Sequence, residues 1–198
     1  NIKLYIMIKP FQLLLAITLI FSTFGICLAQ NLSANLEKSN VRWFGEELTG
    51  KIHFGDLSFK DAYVEVQDGV ITSGSFVVNM SSLSVKDLSG GGKARLEGHL
   101  KSDDFFSVEK YPEATLKITQ KAKIKDGGQT LFGNLNIKGI EHPVEFRMKL
   151  IDDNTALAGL TFDRSKYNVR FRSGSFFENL GDKLILDDIR MEVNLNWN

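Results

Sequence analysis

One cysteine, three histidines and no net charge leave this 198-residue chain few groups for chemistry. The cysteine, Cys27, falls in an apolar N-terminal stretch. If the chain is cut after Ala29, the mature protein has no disulfide framework, thiol nucleophile or thiolate metal site. His53, His99 and His142 are too far apart in sequence for a compact metal motif, so structural or surface roles are expected of them. The 24 Lys and Arg balance 24 Asp and Glu, which gives no broad footprint for nucleic acid and no polybasic case for a membrane surface. Gly-x-Ser-x-Gly elbows, phosphate-cradling loops that open a helix, and dinucleotide fingerprints are all missing. No Lys-Ser/Thr follows Gly90-Gly91-Gly92, which reads as a hinge in a flexible loop. No cofactor or metal is expected, and the chain is read as non-catalytic.

What is present begins with a secretory signal. Lys3 and Lys9 precede an apolar run from Phe11 to Leu28, and Cys27-Leu28-Ala29 provides a cleavage pattern before Gln30. A retained membrane anchor is the alternative, because the run is long enough to span a bilayer. Cleavage near Ala29-Gln30 places residues 30–198 in the periplasm or outside the cell as one domain.

From Gln30 onward the chain alternates apolar and polar residues between turns. Strands are expected at 41–45, 48–54, 62–66, 70–80, 114–119, 131–137, 144–150, 156–162 and 189–197, with Gly50 as a bulge and Gly55-Asp56 as a strand end. Gln67-Asp68-Gly69 and Asp126-Gly127-Gly128 mark hairpin turns, and Lys138–Pro143 and Asp152-Asp153-Asn154 mark further turns. Ser81–Gly92 reads as a loop and Lys93–Leu100 as a short helix. About eight strands with little helix argue an all-β sandwich or barrel, and pairing the last strand with the first would close a barrel. Such a barrel encloses side chains or one slender ligand.

Gly98 to Pro112 departs from this pattern. Phe105 and Phe106 are adjacent and cannot both face one core from a regular strand, so a tight turn or short helix is expected there. Ser102 or Asp103 could cap that turn, and Tyr111-Pro112 returns the chain to a strand. Asp103-Asp104 could form an acid–base pair, although adjacent side chains usually diverge. Asp163-Arg164-Ser165-Lys166-Tyr167 reads as a salt-bridged turn, with contact to a ligand headgroup as the alternative.

The run from His99 to Leu116, His-Leu-Lys-Ser-Asp-Asp-Phe-Phe-Ser-Val-Glu-Lys-Tyr-Pro-Glu-Ala-Thr-Leu, resembles the signature of YceI-like proteins. Gly74–Leu83, Gly133–Ile140 and Asp163-Arg164-Ser165 resemble further segments of that family, with Asn79, Asn136 and Glu141 departing from its usual residues. The resemblance implies a lipocalin-like, elongated antiparallel barrel of about eight strands with one or two short helices. It also implies a periplasmic protein that encloses a polyisoprenoid or other long apolar lipid, and it brings no catalytic residues. The inward strand positions expected to line a channel are Phe76, Val78, Met80, Leu116, Ile118, Phe146, Met148, Val193 and Leu195, with Phe105 and Phe106 covering an opening. A long-chain isoprenoid or acyl lipid is the expected partner; a homodimer is compatible with the chain. Two other readings stay open: a packed-barrel interaction module without a ligand, and a hydrolase acting at Asp103-Asp104.

Overall fold

The computed structural model describes residues 29–198; residues 1–28, with Cys27 and most of the expected signal, lie outside the described residues. The elements are β1 (Gln30–Ser33), β2 (Asn40–Glu46), β3 (Ile52–Gln67), β4 (Val70–Val85), α1 (Gly90–Lys101), β5 (Glu113–Lys125), β6 (Gly128–Ile137), β7 (Ile140–Asp152), β8 (Thr155–Asp163) and β9 (Asp188–Asn196). Short 3-10 turns occupy Arg164–Tyr167 and Gly181–Lys183.

All strand pairings are antiparallel. The order is β1-β3-β2-β9-β8-β7-β6-β5-β4, and β4 pairs back onto β3, so β2 to β9 close an eight-stranded barrel. The last strand does meet the first long one: Asn40 to Phe44 of β2 run beside Asn194 to Arg190 of β9. Beyond the reach of β2, β1 covers the outer half of β3, from Tyr63 to Val66. Closure gives every barrel strand a neighbour on both sides, so none of them is a free edge strand over its whole length.

Three tight hairpins set the register. Asp68-Gly69, Asp126-Gly127 and Lys138-Gly139 each hold two successive residues at positive φ, between 51° and 75°. That geometry matches the right-handed twist of paired strands.

The structure corrects several boundaries. Gly55-Asp56 does not end a strand. It lies inside the 16-residue β3, where bulges near Asp56, Phe59 and Glu65 break the alternation that a sequence reading depends on. Gly55 is there because a Cβ would stand 1.7 Å from the Ser84 carbonyl oxygen, across the β3–β4 seam. Gly50 sits in the turn before β3 at φ 83°, not in a strand. The expected loop at 81–92 divides in two: β4 continues to Val85 with Leu83 and Val85 buried, and Gly90-Gly91-Gly92 form the first turn of α1 rather than a hinge. The Glu97 carboxylate accepts the Val85 N–H, and that bond fastens the helix to the strand end.

One end of the barrel is solid. Val64, Ile71, Leu131 and Ala156 are fully buried there, beside Trp197 and Ile118. Gln129 spans that end, accepting the Ile71 N–H and donating to the Gly69 carbonyl. The other end is hollow.

Candidate functional site

The hollow end is a cavity of about 530 Å³, within the range of roughly 300–1,000 Å³ usual for small-molecule sites. Its depth is hydrocarbon and sulfur: Phe76, Met80, Leu116, Phe146, Met148 and Leu195 meet there from four strands, β4, β5, β7 and β9. Alternation produces this lining, because every second residue of each strand faces the axis. Charged and imidazole side chains reach the cavity from β2, β3 and the turn between them (Glu46, Glu47, Lys51, His53), from α1 (Arg95, His99) and from the loop after β8 (Arg172). They gather where α1 and that loop cover the barrel end, so the site has a hydrocarbon interior and a polar mouth.

Of the expected channel positions, Phe76, Val78, Met80, Leu116, Phe146, Met148, Val193 and Leu195 line this cavity, as do Phe105 and Phe106. Ile118 does not. It belongs to the solid end, where its Cδ1 would stand 3.0 Å from a Cβ placed on Gly74. Two residues along β5 from Leu116, it keeps the inward direction but lies below the point where the tube fills.

The cover is built from two segments. After α1 the chain turns sharply through Ser107, at φ 49°, and the rings of Phe105 and Phe106 meet edge to face at 5.2 Å. Ser102 does not cap a following turn; it ends α1, its hydroxyl donating to the His99 carbonyl. His99 packs edge-on against Phe171, at 4.3 Å, and Phe105, at 5.7 Å. Neither its Nε2 nor the Trp43 Nε1, both buried, has a hydrogen-bond partner among the described residues. Asp103 pairs with Lys110 on the outer surface at 2.6 Å, and the Lys110 ammonium holds its carboxyl below the ordinary range. Asp103 and Asp104 are not in the cavity lining, which removes the geometric basis for acid–base work there.

The second segment is organised by a residue that sequence reasoning underrated. Arg164 is 0% exposed. Its guanidinium donates to the carbonyls of Val169, Phe171, Ile185 and Leu186 and lies 3.2 Å from the Asp187 carboxylate. The loop from 168 to 187 is thus wrapped around one side chain, which also stands over the Phe105 ring at 5.4 Å. Burial lowers the guanidinium's pKa from its ordinary value. Asp163 caps the short helix by accepting from the Ser165 N–H and hydroxyl. Burial, with a lesser contribution from Asp163, pushes Tyr167 up to about 12. Lys138 then ties the two covering segments together by donating to the carbonyls of Phe105 and Asn168. The expected salt-bridged turn at 163–167 anticipated an ion pair, which Arg164 makes with Asp187, but not the wrapped loop, because most of the partners are backbone carbonyls that any sequence carries.

At the mouth, His53 Nδ1 lies 2.6 Å from Asp87, whose other oxygen accepts the Phe54 N–H. This pair fixes the linker between β4 and α1. Burial alone would raise the Asp87 carboxyl, but the Phe54 N–H and the His53 ring outweigh it and hold the pKa below its ordinary value. A carboxyl depressed in the folded state stabilises the fold above its unfolded pKa of about 3.9, and that contribution disappears as pH falls through the lower folded value. Asp87→Asn is therefore expected to lower the urea midpoint at pH 6, with the gap to wild type narrowing progressively as pH falls below about 4; a gap that stays constant on acidification would refute the linkage.

A closed antiparallel barrel with an apolar tube and a covered, polar mouth belongs to the class of barrels that can enclose a single ligand. Within that class, the chain belongs to the YceI-like domain family, whose model matches residues 32–197. Among curated proteins it is similar to the UPF0312 protein YE1254 of Yersinia enterocolitica, 39% identical over 57 residues; the match covers 29% of this chain and 29% of that protein. Among solved structures it resembles Burkholderia cenocepacia BcnA with a TM-score of 0.63 at 19% identity, over 82% of this chain and 98% of that one. It also resembles a polyisoprenoid binding domain from Saccharophagus degradans, implicated in plant cell wall breakdown, with a TM-score of 0.54 at 12% identity over 84% and 97% of the two chains. At these identities the structural likenesses establish a shared fold.

Proposed function

We propose that this protein binds a single long-chain apolar lipid, an isoprenoid or acyl chain, tail-first in the barrel, and carries or stores it without chemical change. One observation carries the reading: a hydrocarbon-lined cavity of about 530 Å³ whose charged groups are confined to one end. Each methylene moved from water into such a lining contributes about 0.8 kcal/mol, so affinity requires only a chain long enough to fill the tube. The polar mouth sets the orientation. Lys51, Arg95, His99 and Arg172 stand where the head of an amphiphile entering tail-first would come to rest. The polyisoprenoid binding domain of S. degradans shares the fold, which supports an isoprenoid as the first candidate. A cavity of this size weighs against a packed barrel serving only as an interaction module. The proposed location is the periplasm or the exterior, on the strength of the N-terminal segment's composition.

Native mass spectrometry of gently purified protein tests the reading. The expected spectrum shows a one-to-one adduct that organic extraction removes and that geranylgeraniol or a long-chain fatty acid restores. Protein that is empty at isolation and gains no mass from either lipid would end the proposal.

A further inference from the structure

The cavity opens among exposed apolar side chains. Nine large hydrophobic residues are exposed among the described residues, and four of them, Leu48, Ile52, Phe176 and Phe177, belong to two segments beside the mouth. Those segments are joined: the Leu48 N–H donates to the Leu184 carbonyl, and the Leu184 side chain would lie 3.1 Å from a Cβ on Gly174. Phe177 is half exposed, at 50%, although the loop that bears it is pinned by Arg164. The apolar tip is therefore held outward on an anchored support.

Cations are interleaved with these residues. Lys51 lies between Leu48 and Ile52, Arg170 stacks over the Phe176 ring at 4.9 Å, and Arg172 lies over Phe171 at 5.0 Å. With Arg95 and Lys183 the face holds five cations against four carboxylates, Glu46, Glu47, Glu178 and Asp182. Residues 29–198 together carry 22 cations and 24 carboxylates, so the sign of the charge reverses at the mouth. Aromatic rings beside guanidiniums suit the boundary between lipid headgroups and acyl chains, where an apolar body and a positive group are both satisfied.

We propose that this face, formed by the turn at 47–52 and the loop at 170–184, seats on an anionic lipid bilayer, with Phe177 and Ile52 entering the headgroup–acyl boundary. The cavity mouth would then open directly onto lipid. A bound chain could pass between bilayer and barrel without exposing its methylenes to water, a consequence that rests on the function proposed above. The docking itself stands independently of it.

The test introduces tryptophan as a depth probe in the full chain. F177W and I52W are mixed with vesicles of 70:30 phosphatidylcholine and phosphatidylglycerol in which the phosphatidylcholine is brominated on its acyl chains. L157W, on the outer face of β8 and six residues along the strand from its Asp163 end, serves as the control. The added emission at 177 and at 52 is expected to fall at least twofold, to recover in 0.5 M NaCl, and to be unaffected in L157W. Three outcomes would overturn the proposal: no quenching at 177 and 52, equal quenching in vesicles without phosphatidylglycerol, or equal quenching at all three positions, which would mean another part of the chain brings the protein to the bilayer. The lipid content measured by mass spectrometry is a separate readout, so the failure of docking and the failure of ligand binding are distinguishable.

Discussion

Replacing Arg164 with Leu is expected to lower the melting temperature by on the order of 10 °C. The guanidinium is fully buried and is shared among four backbone carbonyls and the Asp187 carboxylate. Leucine fills part of the volume but leaves the four carbonyls without this donor, while the Asp187 carboxylate keeps only the hydroxyls of Ser173 and Ser175. Removing one member of such a buried charged network costs about 3–5 kcal/mol, and in a domain of this size each kcal/mol shifts the transition by roughly 2–4 °C. Arg164→Lys should recover only a small part of the loss, because a single ammonium cannot reach the four carbonyls that the planar fork spans. Circular dichroism melts give the magnitude. Hydrogen exchange gives the location: amides from 168 to 187 should lose protection first, while those of β5 to β7 keep theirs. A melt within 2 °C of wild type would show that the loop is held by other contacts.

Ala158→Phe is expected to weaken lipid binding by on the order of 100-fold while leaving the fold intact. Ala158 lines the cavity from β8, opposite Val193 of β9. A ring at this position projects into open space rather than into packed atoms. It displaces a length of chain equivalent to about four methylenes, or about 3 kcal/mol at ~0.8 kcal/mol each, and every 1.4 kcal/mol is tenfold in affinity. The neighbouring Leu157 is 49% exposed on the outside of the same strand, so Leu157→Phe provides a matched control with no expected effect on binding. Titration with cis-parinaric acid, a fluorescent acyl chain, reads both variants. Equal affinity in wild type and Ala158→Phe would place the bound chain elsewhere.

The strand pattern was legible because a half-buried antiparallel strand writes its orientation into every second residue. β7 shows this most clearly: Phe146 and Met148 are buried between exposed Glu145, Arg147 and Lys149. Two of the three hairpins were equally plain, since two residues at positive φ favour Asp followed by Gly; the third was expected to run over Lys138–Pro143, but the chain turns at Lys138-Gly139 alone and β7 begins at Ile140. β3 was less legible. Its bulges shift the register at three places, and each shift exchanges the faces that the alternation had assigned. The start of α1 was obscured for another reason. Three successive glycines are poor helix formers, and their turn is held in place by the Glu97 bond to β4 and by the buried Leu100 near the helix end.

By itself, the sequence determined that the chain would form antiparallel strands with one apolar face each and where most of the turns between them fall; it left open whether those strands stack as a sandwich or close as a barrel. These properties are local or compositional, and periodicity and counting reveal them. Only the tertiary structure decided where the tube is filled and where it is empty. Ile118 and Leu116 share an inward face two residues apart on one strand, yet one is packed against Gly74 and the other lines the cavity. The same holds for charge: a chain with balanced counts gathers arginines and exposed phenylalanines at one mouth, because segments far apart in sequence are brought to the same barrel end by closure. Cavity and surface patch alike are properties of the space between elements, and no single stretch of chain encodes that space.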